Sequence, residues 1–585
     1  MIPVHRPRNV DWRRGAALLY GDWGTSKSYV LGIGFAIAGY SSLPMILTIS
    51  VLICIVGINY LWVCRNFPDG GGVFSCARPH SEVLAVVGAL LLFADYVVTA
   101  ALSAIEAFHY LAPYLHLSPE MVVYLTLISL AVLGVVNFFG PKHSGSMAIA
   151  LAIPTVLVVI VLGVCSLPHL PDALANVERP HRSPLQWWVA FTGVVLALSG
   201  VESIANMTGT MKLDPGSTEE KPSIRKTTLW SLLPVMVEVC VFTALLGLAM
   251  HAIPDMQPGD HEEDMLRFMG EVFVGKWFGV IVSVVFAMLL LSAANTAIVA
   301  MVALIYMLAR ENDIPRMFGR LNRWGVPWLP LLVAAVAPIL VLCVQSKLSD
   351  LAALYAIGVV GAIAITLSST CFNRHTDLVW WQRVAMFLTF IVLALIEVTL
   401  MVEKPNALFF VSAVLSVGLV GHLFHRELER KRGASEVAAR SAESLSFSQE
   451  KGSTSILVAA RGLTPALQFA IEEARLRKAT LYVLYVNEIA VQMLGLRSTR
   501  WQDNPQASHI FGELKKMAPD VPMVPLYSVS DAPAVTILDS AATLGVDLLI
   551  LGGSHRSSFV KLLKGNVVTE VARDLPPSIR LLIYG

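Results

Sequence analysis

Charge is scarce in this chain of 585 residues. Only 15% of it is Asp, Glu, Lys or Arg, against about 25% in a soluble domain. With 55% hydrophobic residues and a mean hydropathy of +0.66, an ordinary water-soluble protein is excluded. The net charge of +1 provides no basic field, so nucleic acid is not an expected partner. Cysteine is sparse too. Cys54, Cys64, Cys76, Cys165, Cys240, Cys343 and Cys371 are odd in number and show no CxxC or Cys/His metal spacing. They read as buried small hydrophobes. No motif for hydrolysis or for a resident metal occurs, so no enzyme is expected and no cofactor is required. A cleavable leader is not expected either, because Arg6, Arg8, Arg13 and Arg14 precede an apolar stretch interrupted by polar residues.

The charge that is present is uneven. Residues 426–585 hold 19 Lys/Arg and 16 Asp/Glu, so two chemically different parts are expected. Residues 1–425 form a membrane body, 426–453 a linker, and 454–585 a soluble domain. A helix needs about 20 apolar residues to cross a bilayer. That rule places about twelve spans, near 13–38, 43–66, 83–111, 121–140, 145–167, 187–207, 228–252, 272–308, 327–346, 350–372, 380–402 and 406–425. Alternate loops carry the bases Arg65, Arg78, Lys142, Lys212, Lys221, Arg225, Lys226, Arg310, Arg316, Arg320, Arg323 and Arg374. Loop 253–270 on the opposite side is acidic, with Asp255, Asp260, Glu262, Glu263 and Asp264; Arg179 and Arg182 are exceptions. The bias predicts cytoplasmic termini on both ends of the body.

Spans one and six each contain glycine and a carboxylate inside an apolar run: Tyr20-Gly-Asp-Trp-Gly-Thr-Ser-Lys-Ser-Tyr29 and Ala197-Leu-Ser-Gly-Val-Glu-Ser-Ile-Ala-Asn206. Broken helices at matched positions are what a five-plus-five inverted repeat of the LeuT-like kind requires, with the binding site at the breaks. The expected fold class is therefore an α-helical membrane protein of about twelve spans carrying an α/β doubly wound domain.

A carboxylate at bilayer depth costs about 2.5–3.5 kcal/mol on insertion scales, so it usually faces a cavity or a partner. Asp22, Asp95, Glu106 and Glu202 stand out, Glu106 being equally compatible with a place at the interface. Asp95, Thr99 and Ser103 are spaced i, i+4, i+8 on one helix face. Tyr29 follows the first break, Ser199 lies one turn before Glu202, and Tyr355 sits in Leu354-Tyr-Ala-Ile-Gly358. Hard oxygens of these kinds, with carbonyls freed at the breaks, are what a bare alkali cation needs in place of water. Desolvated carboxylates also accept a proton readily once a cation leaves. The plainer reading is that the hydroxyls bond back to their own helices and the tyrosines pack. Glu238 and Glu397 lie in spans seven and eleven with no assigned role.

The run Tyr20-Gly-Asp-Trp-Gly-Thr-Ser26 resembles the signature of the KUP/HAK/KT family of potassium–proton symporters. The body from 12 to 425 resembles the amino acid–polyamine–cation superfamily, and within it the KimA-like potassium importers. The matching segments are Phe67-Pro-Asp-Gly-Gly-Gly-Val-Phe74, Asp95-Tyr-Val-Val-Thr99, Gly200-Val-Glu-Ser-Ile-Ala-Asn206, Ala293-Ala-Asn-Thr296, Leu308-Ala-Arg310 and Leu354-Tyr-Ala-Ile-Gly358. The resemblance implies an ion site of Asp22, Tyr29, Asp95, Thr99, Ser103, Ser199, Glu202 and Tyr355. Of these, Asp22, Asp95, Thr99, Ser103 and Glu202 would ligate potassium. It also implies a plasma (inner) membrane importer coupled to protons. The family continues its signature with Pro-Leu-Tyr where this chain has Lys27-Ser28-Tyr29. Lys27 either points into a water-filled vestibule or stands in the site as a built-in cation, the second favouring another substrate.

In the tail, strands at Ile456–Ala460, Leu481–Val486, Met523–Ser528, Leu548–Gly552 and Arg580–Tyr584 alternate with helices near 464–478, 506–517, 533–543 and 565–574. The tail resembles a universal stress protein domain. That family's phosphate loop is Gly-x2-Gly-x9-Gly-Ser/Thr, and here Gly552, His555, Gly565 and Asn566 occupy its positions. Arg461 stands where the first strand usually ends in Asp. Arg461, Gly552, His555 and Gly565, with Arg556 and Lys561, would hold the phosphate of ATP or a cyclic dinucleotide, or else make a solvated basic loop. The resemblance also implies a homodimer in the bilayer. An amino-acid permease, and a sensor whose core only relays occupancy to the tail, remain as alternative readings.

Overall fold

The computed structural model describes residues 8, 10–70, 72–140, 145–179, 182–218, 222–311, 313–436, 455–488, 501–530, 533–552, 567–576 and 579–584. Asp11 opens the first helix, α1 (Trp12–Trp23), by accepting from the backbone N–H of Arg14. The chain then breaks at Gly24-Thr25 and resumes as α2 (Ser26–Ala38). Hydroxyls mend the break: Thr25 Oγ1 donates to the Asp22 carbonyl at 2.6 Å, Ser26 Oγ to Trp23 at 2.8 Å, and Ser28 Oγ to Thr25 at 2.7 Å. Such bonds make an interrupted helix tolerable where water is absent.

Next come α3 (Leu43–Asn66), α4 (Glu82–Leu115), α5 (Pro119–Phe138) and α6 (Gly145–Ser166). The second break separates α7 (Pro184–Thr192) from the short α8 (Ser203–Met207). Beyond it lie α9 (Arg225–Ala249), α10 (Met265–Phe273), α11 (Lys276–Arg310), α12 (Trp328–Val344), α13 (Leu348–Phe372), α14 (Trp380–Glu403) and α15 (Pro405–Glu436). Among the described residues, nine helical segments are long and apolar enough to cross a bilayer. They become ten if Pro184–Thr192 and Val195–Thr210, bent by 49°, form one span. The other two spans expected from sequence are the α1/α2 pair, with halves of 12 and 13 residues, and α12, with 17. Each helix there is shorter than the ~20 residues of a full crossing.

Burial sorts the helices. The apolar windows of α13 and α4 are 83% and 72% buried, whereas those of α5, α14 and α15 are 22%, 28% and 17% buried. The first two form the centre, and the others present apolar side chains outward, as a lipid-facing helix does.

Three expectations need correction. The eighth span starts at Lys276 rather than 272, because Gly275 at φ 136° turns the chain and leaves α10 as a separate helix. Residues 426–436 of the expected linker are helical, since straight-chain Leu, Glu, Arg and Lys continue α15 past its apolar part. The remainder of that linker lies outside the described residues. Cys343 is exposed and Cys54 and Cys165 only partly buried, because apolar side chains here face lipid as well as core.

The tail strands β1 (Ser455–Ala459), β2 (Thr480–Glu488), β3 (Met523–Ser530), β4 (Leu548–Gly552) and β5 (Arg580–Tyr584) form one parallel sheet, ordered β3-β2-β1-β4-β5. Leu457 of β1 pairs with Tyr482 on one side and Leu549 on the other. Helices α16 (Pro465–Leu476), α17 (Pro505–Met517), α18 (Pro533–Leu544) and α19 (Val567–Asp574) lie between the strands in sequence. Strand order reverses at β1, which places Arg461 and Gly552 at the carboxyl ends where doubly wound sheets bind ligands.

Candidate functional site

The two breaks meet. Gly200 has φ +90°, and a Cβ on it would lie 2.6 Å from the Trp23 backbone nitrogen and 2.7 Å from its Cα. Only glycine satisfies both the left-handed conformation and the contact. The joint brings Asp22 against the start of α8, where Ser203 Oγ donates to Asp22 Oδ2. Glu202, 5% exposed, is the residue before it.

The third side is α4. A Cβ on Gly358 of α13 would lie 3.0 Å from the Asp95 backbone nitrogen, so α13 approaches α4 closely at that level. Asp95 is 1% exposed, and Glu202 and Asp22 are its electrostatic neighbours. Tyr355 feels Asp95, Tyr29, Asp22 and Glu202. Tyr29 feels Asp22, Glu106 and Asp95. The structure thus gathers Asp22, Tyr29, Asp95, Glu202 and Tyr355 around one joint. Thr99 and Ser103 are buried on the same helix as Asp95, and Ser199 is buried beside Gly200. The Thr99 hydroxyl donates to the Asp95 carbonyl at 2.9 Å, as the plainer reading anticipates, and keeps its lone pairs for another partner.

Electrostatics set this joint apart from the core. Both carboxylate oxygens of Asp95 are buried without a hydrogen-bond partner among the described residues, and the buried Glu202 carboxylate has backbone N–H groups of Gly200 and Glu202 beside it but no side-chain partner. A buried charge without partner or water is costly, so each group requires a cation or a proton. Among the described residues no three His, Cys, Asp or Glu side chains converge tightly enough to ligate one metal ion. Asp22, Asp95 and Glu202 therefore do not close as a three-acid cluster, an arrangement that like-charge repulsion opposes. Glu202 borders a cavity of about 10 Å³ with Tyr60, Asn206 and Thr366, room for roughly one water-sized sphere. A larger cavity of about 250 Å³ runs along Ile33, Thr192, Ala352 and Ala356 to Glu262 and Lys404.

Lys27 takes neither place anticipated for it. It is fully buried, and its Nζ lies 2.9 Å from Glu238 Oε2 on α9 and 3.0 Å from the Gly24 carbonyl. Tyr20 donates to the other Glu238 oxygen at 3.0 Å. The reason is local: burial demands a counter-ion, and Glu238 supplies one. Glu238 was legible as an intramembrane acid but not as this partner, because 211 residues separate the two. Ser203 was also missed, although it sits in the second break beside Glu202.

In the tail, Arg461 is paired with Glu488, so its guanidinium is already engaged. Gly552 ends β4. His555 and Gly565, with Arg556, Lys561 and Asn566, lie outside the described residues.

A family model described as amino acid permease matches residues 11–420, and one described as universal stress protein family matches residues 454–578. The potassium transporter KimA of Bacillus subtilis is 25% identical over 381 residues, covering 61% of this chain and 60% of that protein. A probable amino-acid permease of Schizosaccharomyces pombe is 33% identical over 163 residues, 27% of this chain and 30% of that one. A probable potassium transport system protein Kup of Methylibium petroleiphilum is 26% identical over 290 residues, 40% and 46% of the two chains. The matches therefore span less than two thirds of each of these relatives.

Proposed function

The chain belongs to the amino acid permease family, and from that premise we propose that it is a secondary transporter importing potassium ions across the plasma membrane in symport with protons. One observation carries this reading. Asp22, Asp95 and Glu202 share a joint between broken helices, while the lysine of the break, Lys27, is neutralised by Glu238. The acids' charge is thereby left for cargo. In the cycle, the carboxylates and the hydroxyls of Tyr29, Thr99, Ser103, Ser199 and Tyr355 replace water around the cation. When the cation leaves, a proton neutralises Asp95 or Glu202. The two bundles then rock about the joint, exchanging access between the Glu262 and Glu202 cavities.

The same proposal takes twelve spans in a five-plus-five inverted repeat, with both ends of the body cytoplasmic. It takes the tail as a regulatory domain that holds a nucleotide and pairs the chain as a homodimer. The second reading, a proton-coupled amino-acid permease, draws on the family description and on the yeast relative. Three acids at the joint oppose it, because they repel a substrate carboxylate.

Radioactive rubidium uptake into proteoliposomes with an imposed pH gradient tests the proposal. Uptake should rise with the gradient, fall with competing potassium, and vanish in Asp22→Asn and Glu202→Gln protein that still inserts. Wild-type uptake by either variant would refute this site. A folded protein that takes up an amino acid and no rubidium would establish the second reading.

A further inference from the structure

Symport sets a condition that the joint by itself does not meet. A proton that takes the cation's place at Asp95 or Glu202 cannot travel with that cation. The travelling proton must sit on an acid that the cation does not touch. Of the intramembrane acids outside the joint, Glu238 is held by Lys27. Glu106, fully buried, stands three residues past Ser103, on the helix face that carries the cation's ligands. Glu397 of α14 remains.

Glu397 is half-buried, and its Oε2 is fully buried without a hydrogen-bond partner among the described residues. Its other oxygen rests on a glycine. A Cβ on Gly361 of α13 would lie 3.2 Å from Glu397 Oε1 and 3.0 Å from Leu91 Cδ1 of α4. The missing side chain lets the carboxyl approach α4 at Leu91, one turn before Asp95. Gly358, where α13 abuts the Asp95 backbone, is about 4.5 Å back along the helix axis. On α14 itself, Leu400 and Lys404 continue the face of Glu397 at i+3 and i+7, and both line the 250 Å³ cavity. Glu397 thus stands one turn beneath the wall of that cavity and, across Gly361, against the helix that forms the third side of the joint.

We propose that Glu397 binds the symported proton, taken from the cavity side while the cation occupies the joint. This rests on the transport reading above. The titratable groups of α13 are Asp350, Tyr355 and Cys371, and those at or near α14 are Arg383, Glu403 and Lys404; none lies within a turn of Gly361 or of Glu397. Asp95 faces the place from α4 and Tyr60 of α3 borders the Glu202 cavity, while α7 carries no titratable side chain and α15 none before His422. An ionised carboxylate pressed onto Gly361 between apolar helices is costly, so this packing requires the protonated acid. Losing the proton drives the carboxyl off Gly361 and loosens α14 from α13, the helix that carries Tyr355 to the joint. Proton and cation are thereby linked through α13 without sharing a ligand.

The test uses the full chain in proteoliposomes and compares wild type with Glu397→Gln and Glu397→Asp. It reads rubidium-86 exchange at equal pH, rubidium accumulation driven by a pH gradient, and acidification of the lumen when rubidium is added. In wild type, a gradient of one pH unit, acid outside, should raise accumulation up to about tenfold at one proton per cation. Glu397→Gln, fixed in the neutral state, should still exchange rubidium but lose both the gradient stimulation and the acidification. Glu397→Asp, one methylene shorter, should keep the coupling with its pH midpoint displaced. Should Glu397→Gln fail to insert, that displacement decides. Coupled uptake by Glu397→Gln, loss of its exchange along with its coupling, or an unmoved midpoint in Glu397→Asp overturns the inference and leaves potassium import standing. Wild-type uptake without gradient stimulation, or no uptake at all, overturns the symport reading and this inference with it.

Discussion

Neutralising Lys27 alone should damage the protein more than neutralising Lys27 and Glu238 together. The ammonium is fully buried and the carboxylate nearly so, with side-chain exposures of 0% and 10%. Removing one partner of such a pair leaves a buried charge uncompensated, at about 3–5 kcal/mol. Lys27→Met strands Glu238 with only the Tyr20 hydroxyl, and also frees the Gly24 carbonyl in the break. Glu238→Gln strands the ammonium with that carbonyl and the Tyr20 ring, whose centroid lies 5.0 Å away. A ring at that distance recovers about 0.5–2 kcal/mol. The double variant buries no charge, and the glutamine oxygen still accepts from Tyr20. It should lose about 1–2 kcal/mol, the scale of rearranged neutral hydrogen bonds. The coupling energy should therefore exceed about 2 kcal/mol in a double-mutant cycle of stability in detergent. Additivity within about 0.5 kcal/mol would show the two groups to be independent, and would refute both the pairing and the account of why Lys27 leaves the joint's charge alone.

Other perturbations follow from the same geometry. Gly200→Ala combines a left-handed φ with contacts of 2.6–2.7 Å; strain and overpacking together should cost about 2–6 kcal/mol, read as a lowered melting temperature with loss of uptake. Ser203→Ala removes the donor to Asp22, and should raise the half-saturating cation concentration about tenfold while leaving the chain folded, checked by rubidium titration. In the segment before α10, burial raises the Asp264 carboxyl, but hydrogen bonding to His261 and the Arg267 charge outweigh it, holding it below the ordinary range. Stability from Asp264 is then fully present above its unfolded value of about 3.9 and is lost as pH falls through the depressed folded value. Amide protection over 255–275, taken as the exchange rate relative to the intrinsic rate at each pH, should therefore stay high at neutral pH and fall only under strong acid; loss of protection already near neutral pH would contradict the sign.

Much of this molecule was legible before any coordinates. Apolar runs long enough to satisfy their own backbone in lipid announce themselves, because hydrogen bonding in a bilayer leaves few alternatives to a helix. Glycine with a carboxylate inside such a run marked both breaks. The tail's strands were found nearly to the residue, since Gly, Pro and charge punctuate its short buried runs. Asp22, Asp95 and Glu202 stood out on cost alone. What the sequence could not supply was partnership between distant positions. Whether Lys27 met water, cargo or Glu238 depended on which face of α9 packs beside the first break. Ser203 looked like an ordinary helix residue until Gly200, at φ +90°, carried its helix onto Trp23 and Asp22. Glu106 could have ended at an interface, and the packing of 255–275 over α2 and α4 buried it instead. Local chemistry is written residue by residue in the chain. Which charges neutralise one another and which stay unpaired is decided by packing across hundreds of residues, and in a medium without water that decision separates scaffold from site.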